Sequence, residues 1–196
     1  LNTTDGNFSL PFLIQGQQSE GVVNVTVEFT VDQSKGYYTD SESSNDYTVR
    51  VHTQVTLELD KTQNEYITRV PWKEYDKTTG ELKATREWNV VHLKGILKDA
   101  DLSSTDHPVG VADMKVYIWW EGQLVKKESI LTGYSNPAIT NNKGEYFLNF
   151  QIDSSEILGP KTVKASFFSA SDDNDFFDAS ELEYVGGDFS VVALTH

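Results

Sequence analysis

A chain that carries the same strands twice is bound to a repetitive architecture, and here the repetition can be read directly. The segment running from Asp5 through Gly6, Phe8, Leu10 and Phe12 to Ile14 aligns with Lys143, Gly144, Tyr146, Leu148, Phe150 and Ile152. At the same offset Gly21 falls on Gly159, Val25 on Val163, Val27 on Ala165 and Phe29 on Phe167. After small insertions Tyr37-Tyr38 meets Phe176-Phe177, Ser41 meets Ser180, and Asp46 to Thr53 meets Asp188 to Thr195. Three strands recurring in order define one unit of structure used more than once.

Within these strands apolar residues alternate with polar ones, as a half-buried sheet requires. Phe8, Leu10, Phe12 and Ile14 share one face, and Val23, Val25, Val27 and Phe29 lie opposite Asn24, Thr26 and Glu28. Gln54 to Asp60 reads as the first strand of the next unit, with no Gly/Ser/Pro linker after Thr53. Tyr66 to Trp72 and Glu81 to Val91 read as a hairpin around Asp76-Lys77-Thr78-Thr79-Gly80, continuing through Leu93 to Leu97 into an acidic turn at Asp99 to Asp106. Met114, Val116, Ile118 and Trp120 alternate before Glu121-Gly122, after which Leu124 to Leu131 returns. No stretch carries the helical period. The expected fold class is all-β, a tandem of β-sandwich repeats. Residues 1–53 are the C-terminal half of one unit, and residues 54–196 are a complete unit with an extra hairpin at 66–91.

The half unit has an apolar face that three strands cannot cover alone, and an uncovered face of that size is unusual on a soluble protein. Upstream strands of a longer array would cover it. So would strands supplied by a neighbouring subunit in a head-to-tail polymer, or packing of the half unit onto the complete one. His196 falls where the counterpart of Gln54 to Asp60 would begin a further unit, so both ends of the segment are expected to be joints.

A formal net charge of -14 argues against nucleic acid and anionic membranes as partners, since both repel a polyanion. The apolar runs are too short to span a bilayer, so no membrane insertion is expected. There is no cysteine, hence neither disulfides nor thiolate metal sites. Asn2, Asn7 and Asn24 each open an Asn-x-Ser/Thr triplet and are candidate N-glycosylation sites in a secreted chain. A chain rich in Asn, Ser and Thr also produces such triplets by chance.

Leu93-Lys94-Gly95-Ile96-Leu97-Lys98-Asp99, Pro108-Val109-Gly110-Val111-Ala112 leading to Val116-Tyr117-Ile118, Thr140-Asn141-Asn142-Lys143-Gly144-Glu145-Tyr146, and Gly159 before Val163 to Phe167 follow one another in order. This succession resembles the Ig-like or carboxypeptidase-regulatory-like β-sandwich repeats of prokaryotic, especially archaeal, cell-surface proteins. The resemblance covers Gln54 onward and, by repetition, Thr3 to Thr53. It implies a tandem Ig-like fold and an extracellular role in a surface layer, filament, stalk or adhesin, with no catalytic residues to carry over. The long hairpin at 66–91 departs from the pattern.

Asp172, Asp173, Asp175 and Asp178 gather hard oxygen ligands of the kind Ca²⁺ takes, making calcium the candidate cofactor, although the spacing is not that of an EF-hand. The competing reading is a solvated acidic face. Asp99, Asp101 and Asp106 form a second, sparser cluster. His52, His92, His107 and His196 are scattered without metal-ligand spacing. Tyr117 and Trp119 share the strand face opposite Ile118 and Trp120, where they would form either a contact between units or a platform for stacking glycans, joined by Trp72 and Trp88 from the hairpin. The expected function is structural: a non-enzymatic module that assembles with further copies of itself, with a carbohydrate-binding adhesin as the alternative.

Overall fold

The computed structural model describes residues 21–29, 41–49, 51–168 and 177–194. Chain contacts divide the protein into two compact units, Leu1–Arg50 and Val51–His196. In the first, β1 (Gly21–Phe29) pairs antiparallel with β2 (Ser41–Val49), Gly21 lying opposite Val49 and Phe29 opposite Ser41.

The second unit is a pair of sheets around one core. The smaller sheet holds β3 (Thr53–Val55) and β4 (Glu58–Leu59), both along one side of β8 (Val90–Asp99), with β12 (Glu145–Gln151) on the other side. The larger sheet runs from β10 (Gln123–Leu124) to β9 (Lys115–Trp120), β13 (Gly159–Phe167), β14 (Ser180–Val192) and β5 (Ile67–Thr68), and β11 (Ala138–Ile139) also pairs with β9. A separate ribbon joins β6 (Trp72–Tyr75) to β7 (Leu82–Arg86). Among the described residues the only helical element is one 3₁₀ turn, Lys127–Ser129.

Alternation places the core as the period-two pattern requires. Val91, Leu93 and Leu97 on β8 and Tyr146, Leu148 and Phe150 on β12 face Val116, Ile118 and Trp120 on β9 and Val163, Ala165 and Phe167 on β13, in one buried cluster. Trp120 meets Phe150 edge to face across the two sheets, with centroids 5.5 Å apart. Gly95 lies opposite Tyr146, whose ring passes directly over it so that the hydroxyl donates to the carbonyl of Thr56. A Cβ on Gly95 would overlap both that carbonyl and the Tyr146 ring. Burial pushes the Tyr146 hydroxyl far above the usual tyrosine range, so it remains a donor.

Two asparagines, Asn64 buried and Asn136 half-buried, stand in for missing strand neighbours. The Asn64 carboxamide donates to the Val90 carbonyl at 2.9 Å and accepts from the His92 amide at 2.9 Å, closing part of the edge of β8. Asn136 does the same at β9, accepting from the Ile118 amide at 3.0 Å and donating to its carbonyl at 2.7 Å. Strand edges occupied in this way are closed to pairing with other chains.

The extra hairpin is shorter than the sequence pattern suggests. Ile67–Thr68 pairs in parallel with Val191–Val192 and leaves the ribbon to begin at Trp72, after Val70-Pro71, where proline supplies no ladder donor. Glu81 to Val91 is not one strand either. It turns at Trp88-Asn89, with the Val90 amide bonded to the Glu87 carbonyl, because Trp88 is drawn inward to stack on Trp72. The return expected over Leu124 to Leu131 is broken: Gln123–Leu124 pairs with β9, whereas Ile130 bridges to Phe150 of β12.

Candidate functional site

The repeated hairpins share a register. In the second unit Gly159 lies opposite Val191 and Phe167 opposite Ser180, and these are the residues that sequence alignment places on Gly21, Val49, Phe29 and Ser41. The residues inserted in the second copy form a bulge between these two fixed ends, where Gly186 and Gly187 take φ of +70° and +60°. The copies also differ in burial: Val25 is half-buried and Val27 is 40 % exposed, whereas their counterparts Val163 and Ala165 are fully buried. Asn24 is exposed on β1, and its carboxamide oxygen accepts the Thr26 hydroxyl at 2.9 Å within the Asn-x-Thr triplet. Asn2 and Asn7 lie outside the described residues.

Tyr117 and Trp119 lie on the outer face of the larger sheet as their alternation dictates, with centroids 6.0 Å apart. Phe168 joins them, 5.6 Å from Tyr117 and edge-on to Trp119 at 5.9 Å, and is half exposed. The Lys164 ammonium sits 4.9 Å over the Trp119 ring while reaching Glu181 at 3.4 Å. One face of Trp119 is thus already occupied, and the three rings pack against one another. Trp72 and Trp88 do not join it. They stack on each other at 5.3 Å with Tyr66 edge-on to Trp88, near β5, which lies three strands from β9, or about 14 Å.

At one end of the second unit His52 bridges two carboxylates, Asp101 at 3.1 Å and Asp178 at 3.3 Å. Asp99 accepts the amides of Asp101 and Leu102 and so shapes its own turn. Asp172, Asp173 and Asp175 lie outside the described residues, so the proposed calcium loop is represented only by Asp178. Among the described residues no group of three or more acidic or histidine side chains is arranged to hold a metal ion.

The opposite end carries a feature that the sequence did not announce. A cleft of about 680 Å³ opens where β8 begins and where β9 and β12 end. Its floor is apolar, from Trp120, Val125, Phe150 and Ile152, all buried. Glu156 is held beside it by two donors, the Trp120 indole N–H at 3.4 Å and the buried Lys161 ammonium. The turn leading to Glu156 is set by Asp153, whose carboxylate accepts the Ser155 hydroxyl at 2.6 Å and its amide at 2.7 Å, bonds that hold it below the usual carboxylate range. Asn89 lines the cleft and is 2 % exposed, yet its side-chain oxygen meets no donor among the described residues. Its own carbonyl accepts the Ile152 amide at 3.0 Å, which fixes where the side chain starts. Segments far apart in the chain converge here, and the one local signal was an asparagine interrupting an otherwise strand-like run.

Fold and site together define an all-β protein in which two sheets share a core and one hairpin is used twice. No known protein family, no curated protein and no solved structure matches this chain.

Proposed function

We propose that this chain is a structural module of an extracellular surface layer, filament or stalk, built from tandem Ig-like β-sandwich repeats that join head to tail. The observation that carries this reading is the hairpin repeated in one register, Gly21 to Val49 in one unit and Gly159 to Val191 in the other. A unit used twice in the same pairing is the signature of repetitive architecture, whereas a catalytic site has no need of it. The exposure of Val27 against the burial of Ala165 supports completion of the first unit from outside its described strands.

Two further features agree. The second unit receives the chain at one end, where Thr53 pairs with Asp99 at the finish of β8, and releases it at the other, where Val191 pairs with Gly159 at the start of β13. That polarity suits serial linkage. Between Ser180 and Val185, β14 is paired on one side only among the described residues, with Tyr184 and Val185 exposed, and an edge of this kind accepts an added strand. The outer patch of Tyr117, Trp119 and Phe168 supplies an apolar surface for contact between units. The acidic stretch around Asp178 is where calcium would stiffen the assembly.

Light scattering on the purified chain tests the proposal. The expected result is a mass above that of the monomer, lowered by Val185→Pro at the open edge of β14 and by chelator where calcium contributes. A monodisperse monomer, unmoved by calcium, chelator or concentration, would overturn it.

A further inference from the structure

We infer that the edge of β1 away from β2 takes up an antiparallel strand of the β9 type, supplied by a further copy of the repeat. The second unit provides the template. There β13, the counterpart of β1, is paired on both sides, with β14 along one edge and β9 along the other. Among the described residues β1 is paired on one side only, with β2, the counterpart of β14. The alignment that places Gly21 on Gly159 carries the missing register over. Val163 lies opposite Trp120, Ala165 opposite Ile118 and Phe167 opposite Val116, so Val25, Val27 and Phe29 are the positions that an incoming tryptophan, isoleucine and valine would meet. Burial agrees with an unfilled place: Val25 is half-buried and Val27 exposed, whereas Val163 and Ala165 have no exposed surface.

The same comparison fixes which backbone groups meet the new strand. The Glu121 amide bonds to the Thr162 carbonyl at 2.8 Å, so Thr162 and, by alternation, Lys164 turn their backbone groups toward β9. Their counterparts Asn24 and Thr26 turn theirs away from β2, to the edge where the strand is added. Main-chain bonds along such an edge supply affinity, and the alternate apolar side chains supply specificity. The β9 strand of a second copy of this chain is not the donor. It is already held by β13 on one side and by β10 and β11 on the other, and its Val116 and Ile118 have no exposed surface. The occupant is therefore an equivalent strand from a repeat whose own hairpin does not use it. This inference rests on the reading of the first unit as an incomplete sandwich, and deepens it by naming the strand and its register.

The test adds a fluorescently labelled synthetic peptide with the sequence Asp113–Gly122, which contains β9, to the full chain and follows its anisotropy. Saturable binding at micromolar concentration is expected, with new hydrogen-exchange protection at the Asn24 and Thr26 amides. A peptide of the same composition, with Val116 and Tyr117 exchanged and Ile118 and Trp119 exchanged, should bind at least tenfold more weakly because its apolar residues change face. Thr26→Pro removes an edge donor that β2 does not use and should weaken binding at least tenfold. Val27→Ser, at an exposed position, should weaken it several-fold even where Thr26→Pro disturbs the hairpin. Val185→Pro, at the open edge of β14, should leave it unchanged. Absence of binding, equal binding of the two peptides, or binding that Val185→Pro abolishes and Thr26→Pro does not would overturn the inference. Light scattering separates it from the reading beneath it. A chain that assembles but takes up no peptide overturns the inference alone, whereas one that takes up the peptide yet stays monomeric supports it and overturns self-assembly.

Discussion

Gly95→Ala should destabilise the second unit by about 2–6 kcal/mol, a large effect for one added methyl group. The new Cβ would meet the Thr56 carbonyl and the Tyr146 ring, and neither can move cheaply. Thr56 is fixed by three bonds to Ile96: its amide to the Ile96 carbonyl at 2.9 Å, its hydroxyl to the same carbonyl at 3.3 Å, and the Ile96 amide to its hydroxyl at 2.8 Å. Tyr146 has no exposed surface. Overpacking of a tight core costs about 1–3 kcal/mol. Separating the buried Tyr146 hydroxyl from its acceptor adds about 1–3 kcal/mol. All four tryptophans lie in the second unit, so indole fluorescence during urea unfolding reports that unit alone. Tyr146→Phe should cost about 1–3 kcal/mol through the lost hydrogen bond. The double variant should cost less than the sum, because phenylalanine removes one of the atoms that the added methyl group would strike. A Gly95→Ala protein within about 0.5 kcal/mol of wild type, a shift typical of unconstrained surface sites, would refute this reasoning.

Glu156→Ala should cost about 3–5 kcal/mol, because the Lys161 ammonium, 4 % exposed, would keep only Glu121 at 3.9 Å. Pairing Glu156→Gln with Lys161→Met should recover most of that loss in the same urea assay. Acidification should weaken the fold in two stages. His92 is held below its ordinary value of 6.5 by burial, so its contribution is complete above 6.5 and is lost as pH falls from there through the lower folded value. Asp60 is held below 3.8 chiefly by the Thr62 hydroxyl, so its contribution is lost only as pH falls below 3.8. Urea midpoints measured from about pH 8 to about pH 3 should show both stages, with His92→Gln abolishing the first; a midpoint that rises between about pH 7 and about pH 5.5 would contradict the assignment. Asn64→Leu should lower stability by at least about 2 kcal/mol, since the Val90 carbonyl and His92 amide lose their partners.

Much of this structure was legible because it obeys a period. The alternation of Val116, Ile118 and Trp120 marks the buried face of β9, and with it the outward position of Tyr117 and Trp119. The alignment of Gly21 with Gly159 and of Ser41 with Ser180 corresponds to a register that appears in both hairpins. Gly110 and Gly144 lie where two chain segments cross too closely for any Cβ. Features without a period stayed hidden. Asn64 and Asn136 complete strand edges through side chains that reach across 28 and 18 residues, respectively, and no local pattern encodes that. Trp88 reads as part of a strand because its run is polar-apolar on paper, whereas stacking on Trp72 bends the chain there. The cleft has no sequence signature because its floor is ordinary core sequence and only the missing donor for Asn89 sets it apart.

Electron microscopy of the purified full chain, with and without calcium, tests the central claim most directly. A repeating module that joins head to tail should give filaments or sheets with a regular repeat, and Val185→Pro should shorten or dissolve them. Uniform single particles under every condition, at concentrations where surface proteins assemble, would contradict it.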